Sequence, residues 1–404
     1  MTPAVWELFD LAARWVHVIA GVMWVGNSML FNWLDRTLAP PSRAGDGLQG
    51  ESWLLHSGGF YFVEKTQLVG QPLPLTLHWF KWQAYITWLS GAALLAAVYY
   101  AGGRAALTDP TVAELSHAAA VAVGISAIVA GVTIYEIVQR AIGSRAPTLG
   151  NAILLVAFAG IVYALTHLLS GRAAFLHVGA MLGSVMAGNV AMTIVPSQRA
   201  LVKSVAGQGR ADPAISARAK RVSVNNNYIT FPVSALMVSA HFPSLYAGRW
   251  SWVVLLIIVA AGAAIRHVMN VRYTTPRWRV ALAGTVVATA GALWAMLAME
   301  SSSAAKRMSA AVDDVPRVVT FADARHVIDR RCASCHSMQP SDSSFGVAPA
   351  SVAFDMPAQV QLHAARIRER AVVTRTMPPA NKTHITDLER AILARWIEQG
   401  ARVP

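Results

Sequence analysis

Cys332-Ala333-Ser334-Cys335-His336 is the most chemically specific run in the chain. Two thiols three positions apart on one helical turn can form thioether bonds to the two vinyl groups of a porphyrin. The adjacent imidazole then sits under the iron as its proximal ligand. The spacing therefore predicts haem c, covalently bound to Cys332 and Cys335, with His336 as one axial ligand. A zinc half-site or a redox dithiol would use the same thiols, but zinc needs more ligands nearby, and these are the chain's only two cysteines. For the sixth ligand, Met338 is too close to His336 to reach the opposite face, whereas Met356 and Met377 are both far enough along. Met377 is preferred, because Pro378 and Pro379 stiffen the loop that would hold its thioether.

The elements that must position this chemistry follow from composition. Of 404 residues, 55% are hydrophobic and only 14% charged, with a mean hydropathy of +0.43. Soluble domains carry about 25% charged residues, so a pair of ordinary soluble domains is excluded. Disordered, collagenous and disulfide-rich chains are excluded too. A net charge of +13 could suggest nucleic acid, but there is no basic tail and no zinc-finger or helix-turn-helix pattern. Apolar runs suited to a ~30 Å hydrocarbon core fall at roughly 11–34, 82–100, 116–139, 150–168, 175–195, 229–247, 251–269 and 280–299; Pro232 and Pro243 interrupt the sixth. The expected fold is all-α: a polytopic bundle of about eight transmembrane helices over 1–300, a linker over 301–316, and a small cytochrome c-like helical domain over 317–404. In the last part, Thr386 and Glu389 form a capping box, and Leu388, Ile392 and Trp396 recur at helical spacing. The first ten residues hold no Lys or Arg, which argues against a cleaved signal peptide.

The basic residues read as topology signals. With the N-terminus outside, only Arg14, Arg104, Arg172 and Arg249 fall on the outer side. Arg140, Arg145, Arg199, Lys203, Arg218, Lys220, Arg221, Arg272, Arg277 and Arg279 are among those on the inner side. Eight spans return the tail to the outer side, where haem c is attached.

Ionisable residues inside a bilayer are costly and are functional candidates. His17, His167, His177 and His241 cluster toward the outer leaflet, with His117 at its edge, and imidazole ligates haem iron. Two of the four are expected to hold at least one haem b; the plainer reading of each alone is a buried, hydrogen-bonded histidine. Gly21, one turn after His17, would leave room for a flat macrocycle. The inner half carries Asn27, Asn32, Glu136, Asn189, Arg266, His267 and Asn270, the run Asn225-Asn226-Asn227-Tyr228, and the loop residues Glu64, Lys65, His78, Trp79, Lys81 and Trp82. Amides, a guanidinium and aromatic faces could grip a flat, anionic heterocycle. The plainer reading is helix caps and positive-inside anchors.

The stretch Arg14-Trp15-Val16-His17-Val18-Ile19-Ala20-Gly21-Val22-Met23-Trp24-Val25-Gly26-Asn27-Ser28 resembles the opening of the membrane-bound, cytochrome c-linked urate hydroxylases of bacteria. So do Leu75-Thr76-Leu77-His78-Trp79-Phe80-Lys81-Trp82, His177-Val178-Gly179-Ala180-Met181 and Asn226-Asn227-Tyr228-Ile229-Thr230, together with the tail motifs at Cys332 and Met377-Pro378-Pro379-Ala380-Asn381. The resemblance covers nearly the whole chain. It implies hydroxylation of urate by water to 5-hydroxyisourate, with electrons leaving through the cytochrome to a further cytochrome or terminal oxidase of the respiratory chain. It also implies residence in the bacterial inner membrane, with N-terminus and cytochrome domain in the periplasm. In that frame Glu136 or His78 would activate the water, and Arg266, Asn226 and Asn227 would hold the substrate. Two other classes stay open: a cytochrome b/c subunit passing quinol electrons, and a transporter or sensor with the haem as redox switch. Protease added to intact spheroplasts is expected to release a haem-stained tail fragment; cleavage only after lysis would reverse this orientation.

Overall fold

A computed structural model describes all residues except 1–2, 44–46, 69–71, 102–106, 111, 144, 208–212 and 343–346; Arg104 thus lies outside the described residues. The protein is mostly helical, with several long apolar helices. These are α1 (Pro3–Thr37), α2 (Lys81–Leu95), α3 (His117–Ala141), α4 (Pro147–Leu168), α5 (Gly171–Asn189), α6 (Val195–Ala206), α7 (Pro213–Ser239), α8 (Ser251–Val271) and α9 (Trp278–Asp313). Local sequence sets several starts. Ser116 and Ser170 accept hydrogen bonds from the N–H groups of Ala119 and Ala173, and Pro147 opens α4, where no N–H is needed.

Among the described residues, seven helical stretches are long and apolar enough to cross a membrane. The expected run at 229–247 is not among them: α7 stops at Ser239, short of the turn at Pro243–Leu245. Its first half carries Arg218, Lys220 and Arg221, so no long window of it is uniformly apolar. It is nonetheless central to the bundle. Asn226 donates to the Met186 carbonyl while Leu236 and Met237 lie against Gly179, so α7 runs antiparallel to α5. Asn227 meets Arg266 and Asn270 while Pro232 lies against Gly262, so it is antiparallel to α8 as well. A buried core of Val162, Leu165, Phe175, Val178, Leu236 and Leu255 lies toward the other end.

Two departures from a purely helical expectation stand out. Strands β1 (Leu48–His56) and β2 (Gly59–Thr66) form an antiparallel hairpin between α1 and α2. Its two-residue loop, Ser57-Gly58, has positive φ at both positions, which matches the twist of paired strands. The segments Ala96–Ala101 and Val190–Ile194 extend α2 and α5 as π-helical turns, a geometry that often re-aims side chains at functional sites.

The residues expected as a linker are helical as far as Asp313, since α9 carries the chain through 301–313. Beyond it, α10 (Phe321–Arg331), α11 (Pro357–Leu362), α12 (Ala364–Ile367) and α13 (Asp387–Glu398) enclose a second apolar cluster that includes Ile328, Val360, Leu393 and Trp396. Thr320 with Asp323, and Thr386 with Glu389, close capping boxes at the starts of α10 and α13. The buried face of α13 is Arg390, Ala391, Leu393, Ala394 and Trp396. Of the expected Leu388–Ile392–Trp396 stripe, Trp396 is in this face and Ile392 packs against the same cluster, whereas Leu388 faces outward.

Two outcomes are expected. A Cβ on Gly262 would lie 2.8 Å from the Pro232 nitrogen, so Gly262→Ala must push α8 off α7. Such overpacking costs about 1–3 kcal/mol, to be read as a lowered melting temperature of the purified protein. Burial opposes the charge of Glu389, but donors from Thr386 and Arg331 outweigh it and hold the carboxyl below its usual range. Its contribution is therefore full above the ordinary carboxylate range and is lost as pH falls through the depressed value. Glu389→Gln should flatten the acid dependence of amide exchange in residues 387–398.

Candidate functional site

The haem-motif cysteines sit on a tight turn at the end of α10. The Cys332 N–H donates to the Ile328 carbonyl at 2.8 Å, and the N–H groups of Cys335 and His336 donate back to the Cys332 carbonyl at 3.2 and 2.9 Å. His336 Nδ1 lies 2.9 Å from the Val352 carbonyl. A carbonyl can only accept, so Nδ1 carries the proton and Nε2 is left with a lone pair, the form an axial ligand requires. The backbone of Met377 is pinned on both sides: its N–H donates to the Arg370 carbonyl at 3.0 Å, and its carbonyl accepts from Arg390 Nη1 at 3.0 Å. Arg390 is buried and also donates to the Ala371 carbonyl. Burial, reinforced by Arg375, brings its guanidinium down to about 10. An arginine in an amphipathic helix ordinarily reads as a solvated charge, so nothing in the sequence marked Arg390 as the clamp on this loop.

Burial pushes the Cys332 thiol up to about 12 and raises Cys335 as well. Thiols so placed are poor thiolates. Among the described residues there is also no group of three His, Cys, Asp or Glu able to hold a metal. Thioether attachment needs neither, so the turn, the fixed imidazole tautomer and the pinned Met377 fit a covalent haem.

The four membrane imidazoles do not make a paired clasp. His17 Nδ1 bonds the Thr87 carbonyl (2.9 Å) and Ser90 Oγ (3.1 Å), and its ring packs on Gly91. His177 is wholly buried, with Nδ1 on the Ala173 carbonyl (2.8 Å), Nε2 on the Tyr100 hydroxyl (3.1 Å) and Gly124 against the ring. Gly91 and Tyr100 lie nine residues apart, roughly 13 Å along a helix, so His17 and His177 sit at different depths. His167 bonds the Tyr163 carbonyl of its own helix and stacks on that ring, and His241 is exposed in the turn after α7. The space expected beside Gly21 is taken up by Thr87. At different depths, His17 and His177 are not one axial pair in this arrangement.

The inner-half residues do come together. Asn32 Nδ2 donates to Asn270 Oδ1 (3.0 Å); Asn270 Nδ2 (2.8 Å) and Arg266 Nε (3.0 Å) both donate to Asn227 Oδ1. One residue earlier on α7, Asn226 Oδ1 accepts from Asn189 Nδ2 at 2.7 Å. The Tyr135 hydroxyl accepts from both Asn189 (3.0 Å) and Asn225 (2.9 Å). The run Asn225–Asn227 therefore splits, with two amides toward α3 and α5 and one toward α8. Nearby, Asn27 donates to Gln83 and Tyr228 bonds His267.

Among the described residues, three polar atoms in this region are buried and meet no partner: Arg266 Nη2, Asn227 Nδ2 and Thr193 Oγ1. Arg266 is 3% exposed and Asn227 4%. An unpaired buried donor costs about 1–3 kcal/mol, and more when charged. Two N–H donors, one of them cationic, so placed suit a ligand edge made of acceptors, such as the carbonyls and anionic nitrogens of a planar acid. Sequence reasoning singled out Asn226, Asn227 and Arg266, and it missed Tyr135 and Thr193. Thr193 lies in the π-helical turn that follows Asn189, which no periodicity announces.

The other expected site residues make none of these amide hydrogen bonds among the described residues, though Glu136 directly follows Tyr135 on α3. Glu136 is ion-paired with Arg140 and with Arg218 (3.5 Å). His78 is on an exposed loop, next to Trp79 and Trp82, which flank Lys81.

No curated protein and no solved structure matches the chain. The family described as Urate oxidase N-terminal matches it over residues 3–297.

Proposed function

Because the chain belongs to the Urate oxidase N-terminal family, we propose that it is a membrane-bound urate hydroxylase, converting urate to 5-hydroxyisourate with water as the oxygen source. The observation that carries this reading is the pair of buried, unpartnered donors on Arg266 and Asn227. Urate is an anion with an acceptor-rich edge, and binding it there would satisfy both donors at once. A purine lacking those acceptors would leave them unpaired, which is a strong basis for discrimination. Asn270 and Asn32 fix the Asn227 amide, so the donors are oriented before substrate arrives.

Adding water across the purine releases two electrons and two protons. Glu136 and His78 are the proposed proton acceptors for the attacking water. Cys332 and Cys335 would hold a haem c, with His336 and Met377 as the residues ligating its iron; such a group would supply one-electron transfer. The Val352 bond orients the His336 ring, and Arg390 and Arg370 hold the Met377 backbone. In the proposed arrangement the protein lies in the bacterial inner membrane with residues 317–404 in the periplasm. From there electrons pass to a further cytochrome or a terminal oxidase.

Urate added to oxidised membranes should raise the absorption bands of reduced c-type cytochrome, and haem should stay on the chain after acid-acetone extraction. Arg266→Ala should weaken urate binding at least about tenfold, from a charged hydrogen bond worth about 1.5–3 kcal/mol. Met377→Ala should keep urate affinity and lose electron exit. No reduction by urate in the parent protein, or Arg266→Ala with full affinity, would defeat the reading.

A further inference from the structure

The hairpin between α1 and α2 has a composition that neither substrate binding nor electron transfer explains. Its register pairs Trp53 with Phe62 and Leu55 with Phe60. Directly opposed residues share a face, as do residues two apart on one strand. All four side chains therefore project from one face of the distal half of the hairpin. Trp53 and Phe62 are in ring contact, 4.7 Å between centroids. Exposure is 66% for Trp53, 71% for Leu55, 77% for Phe60 and 43% for Phe62, so none of the described residues covers the patch. Isolated two-stranded hairpins are marginal in water, and an aromatic face like this one would add an aggregation hazard.

Charges are arranged to suit one occupant. On the same face, the acids Glu51 and Glu64 lie at the base, where Ser42 bonds the first and Arg43 pairs with the second at 2.8 Å. No free carboxylate interrupts the distal patch. Lys65 and His56 stand on the opposite face, and Lys65 pairs with Asp35 to tie the base to the end of α1. At that end of α1 and the start of α2, Phe31 and Phe80 are in edge contact at 5.2 Å; both are exposed, and Trp82 is exposed beside them. The aromatic patch and these exposed rings both belong to the α1–α2 connection and its flanks, which also carry Lys65 and Lys81. Aromatic rings flanked by Lys and Arg are what settles at the headgroup level of a bilayer.

We infer that the hairpin is a membrane-interface anchor, lying on an anionic lipid surface with Trp53, Leu55, Phe60 and Phe62 in the acyl boundary. Burying such a face would hold the α1–α2 connection flat against the bilayer beside the end of the bundle that carries Arg266 and the asparagines.

The test uses nitroxide labels on the full holoprotein in nanodiscs of phosphatidylcholine and phosphatidylglycerol. Leu55→Cys and Ser52→Cys place one new thiol on each face of the hairpin. The parent chain, taken through the same labelling, reads separately whether Cys332 and Cys335 are blocked, so a failure of the haem reading is distinguished from a failure of this one. At position 55, relaxation by oxygen should exceed relaxation by a water-soluble nickel chelate several-fold, and at position 52 the order should reverse. Equal nickel access at 52 and 55 would mean that the face is in water. Protection of 55 from both reagents would mean that a protein surface, such as a second copy, covers it. Either result overturns the proposal.

Discussion

A guanidinium cannot be left alone inside an apolar bundle. Desolvating Arg266 costs several kcal/mol unless its N–H groups are met by acceptors, and among the described residues its Nε meets Asn227. Much of the bundle's geometry follows from that contact. It requires α7 to lie close against α8, and Gly262 allows this by giving Pro232 room. It requires Asn227 to present its carbonyl rather than its amide nitrogen, and Asn270 enforces that by donating to the same oxygen. Among the described residues the Asn227 amide nitrogen is then left without a partner, as is Arg266 Nη2. The vacant donors are a consequence of how the arginine is accommodated.

The C-terminal segment solves a similar problem with different parts. Arg390 is also buried, and its acceptors are the carbonyls of Ala371 and Met377 and the side-chain oxygen of Asn381. One charge thereby ties the helical turn at Arg368–Val373 to the segment around Met377. In both halves a buried cation organises backbone or amide oxygens, and in both the local geometry is rigid because breaking it would strand the charge.

Much of this was legible in the sequence, for reasons that differ by element. Long apolar runs announce themselves because a helix in hydrocarbon must satisfy its own backbone, and the Cys332–His336 spacing carries its chemistry locally. Asn226, Asn227 and Arg266 were visible as polar residues in apolar surroundings. Pairing was not visible: periodicity says which face of a helix is apolar, but not which helix stands opposite. Hence His17, His167 and His177, grouped by depth, have separate partners among nearby carbonyls and hydroxyls, and His241 stands exposed in a turn. The hairpin was missed because its alternating aromatics sit between two membrane runs that dominate the local hydropathy. Its one clear signal was Ser57-Gly58-Gly59, a tight-turn sequence between β-prone stretches. The basic start of α7 hid a helix that the apolar count placed too far along the chain.

Helix α9 runs unbroken from Trp278 to Asp313, 36 residues, or roughly 54 Å at 1.5 Å each. A hydrocarbon core takes up only about 30 Å of that. On the proposed membrane placement the remainder is a stiff mast, standing clear of the headgroups, with the haem-bearing segment at its tip. A flexible tether would let that segment sample a hemisphere and meet its electron acceptor anywhere within reach. A mast confines it to a shell of nearly constant height, so the acceptor must present its own redox centre at that height, whether it is anchored in the same membrane or free in solution. Breaking the helix near Ser301–Ser303 would then alter the rate at which electrons leave without touching either end of the path.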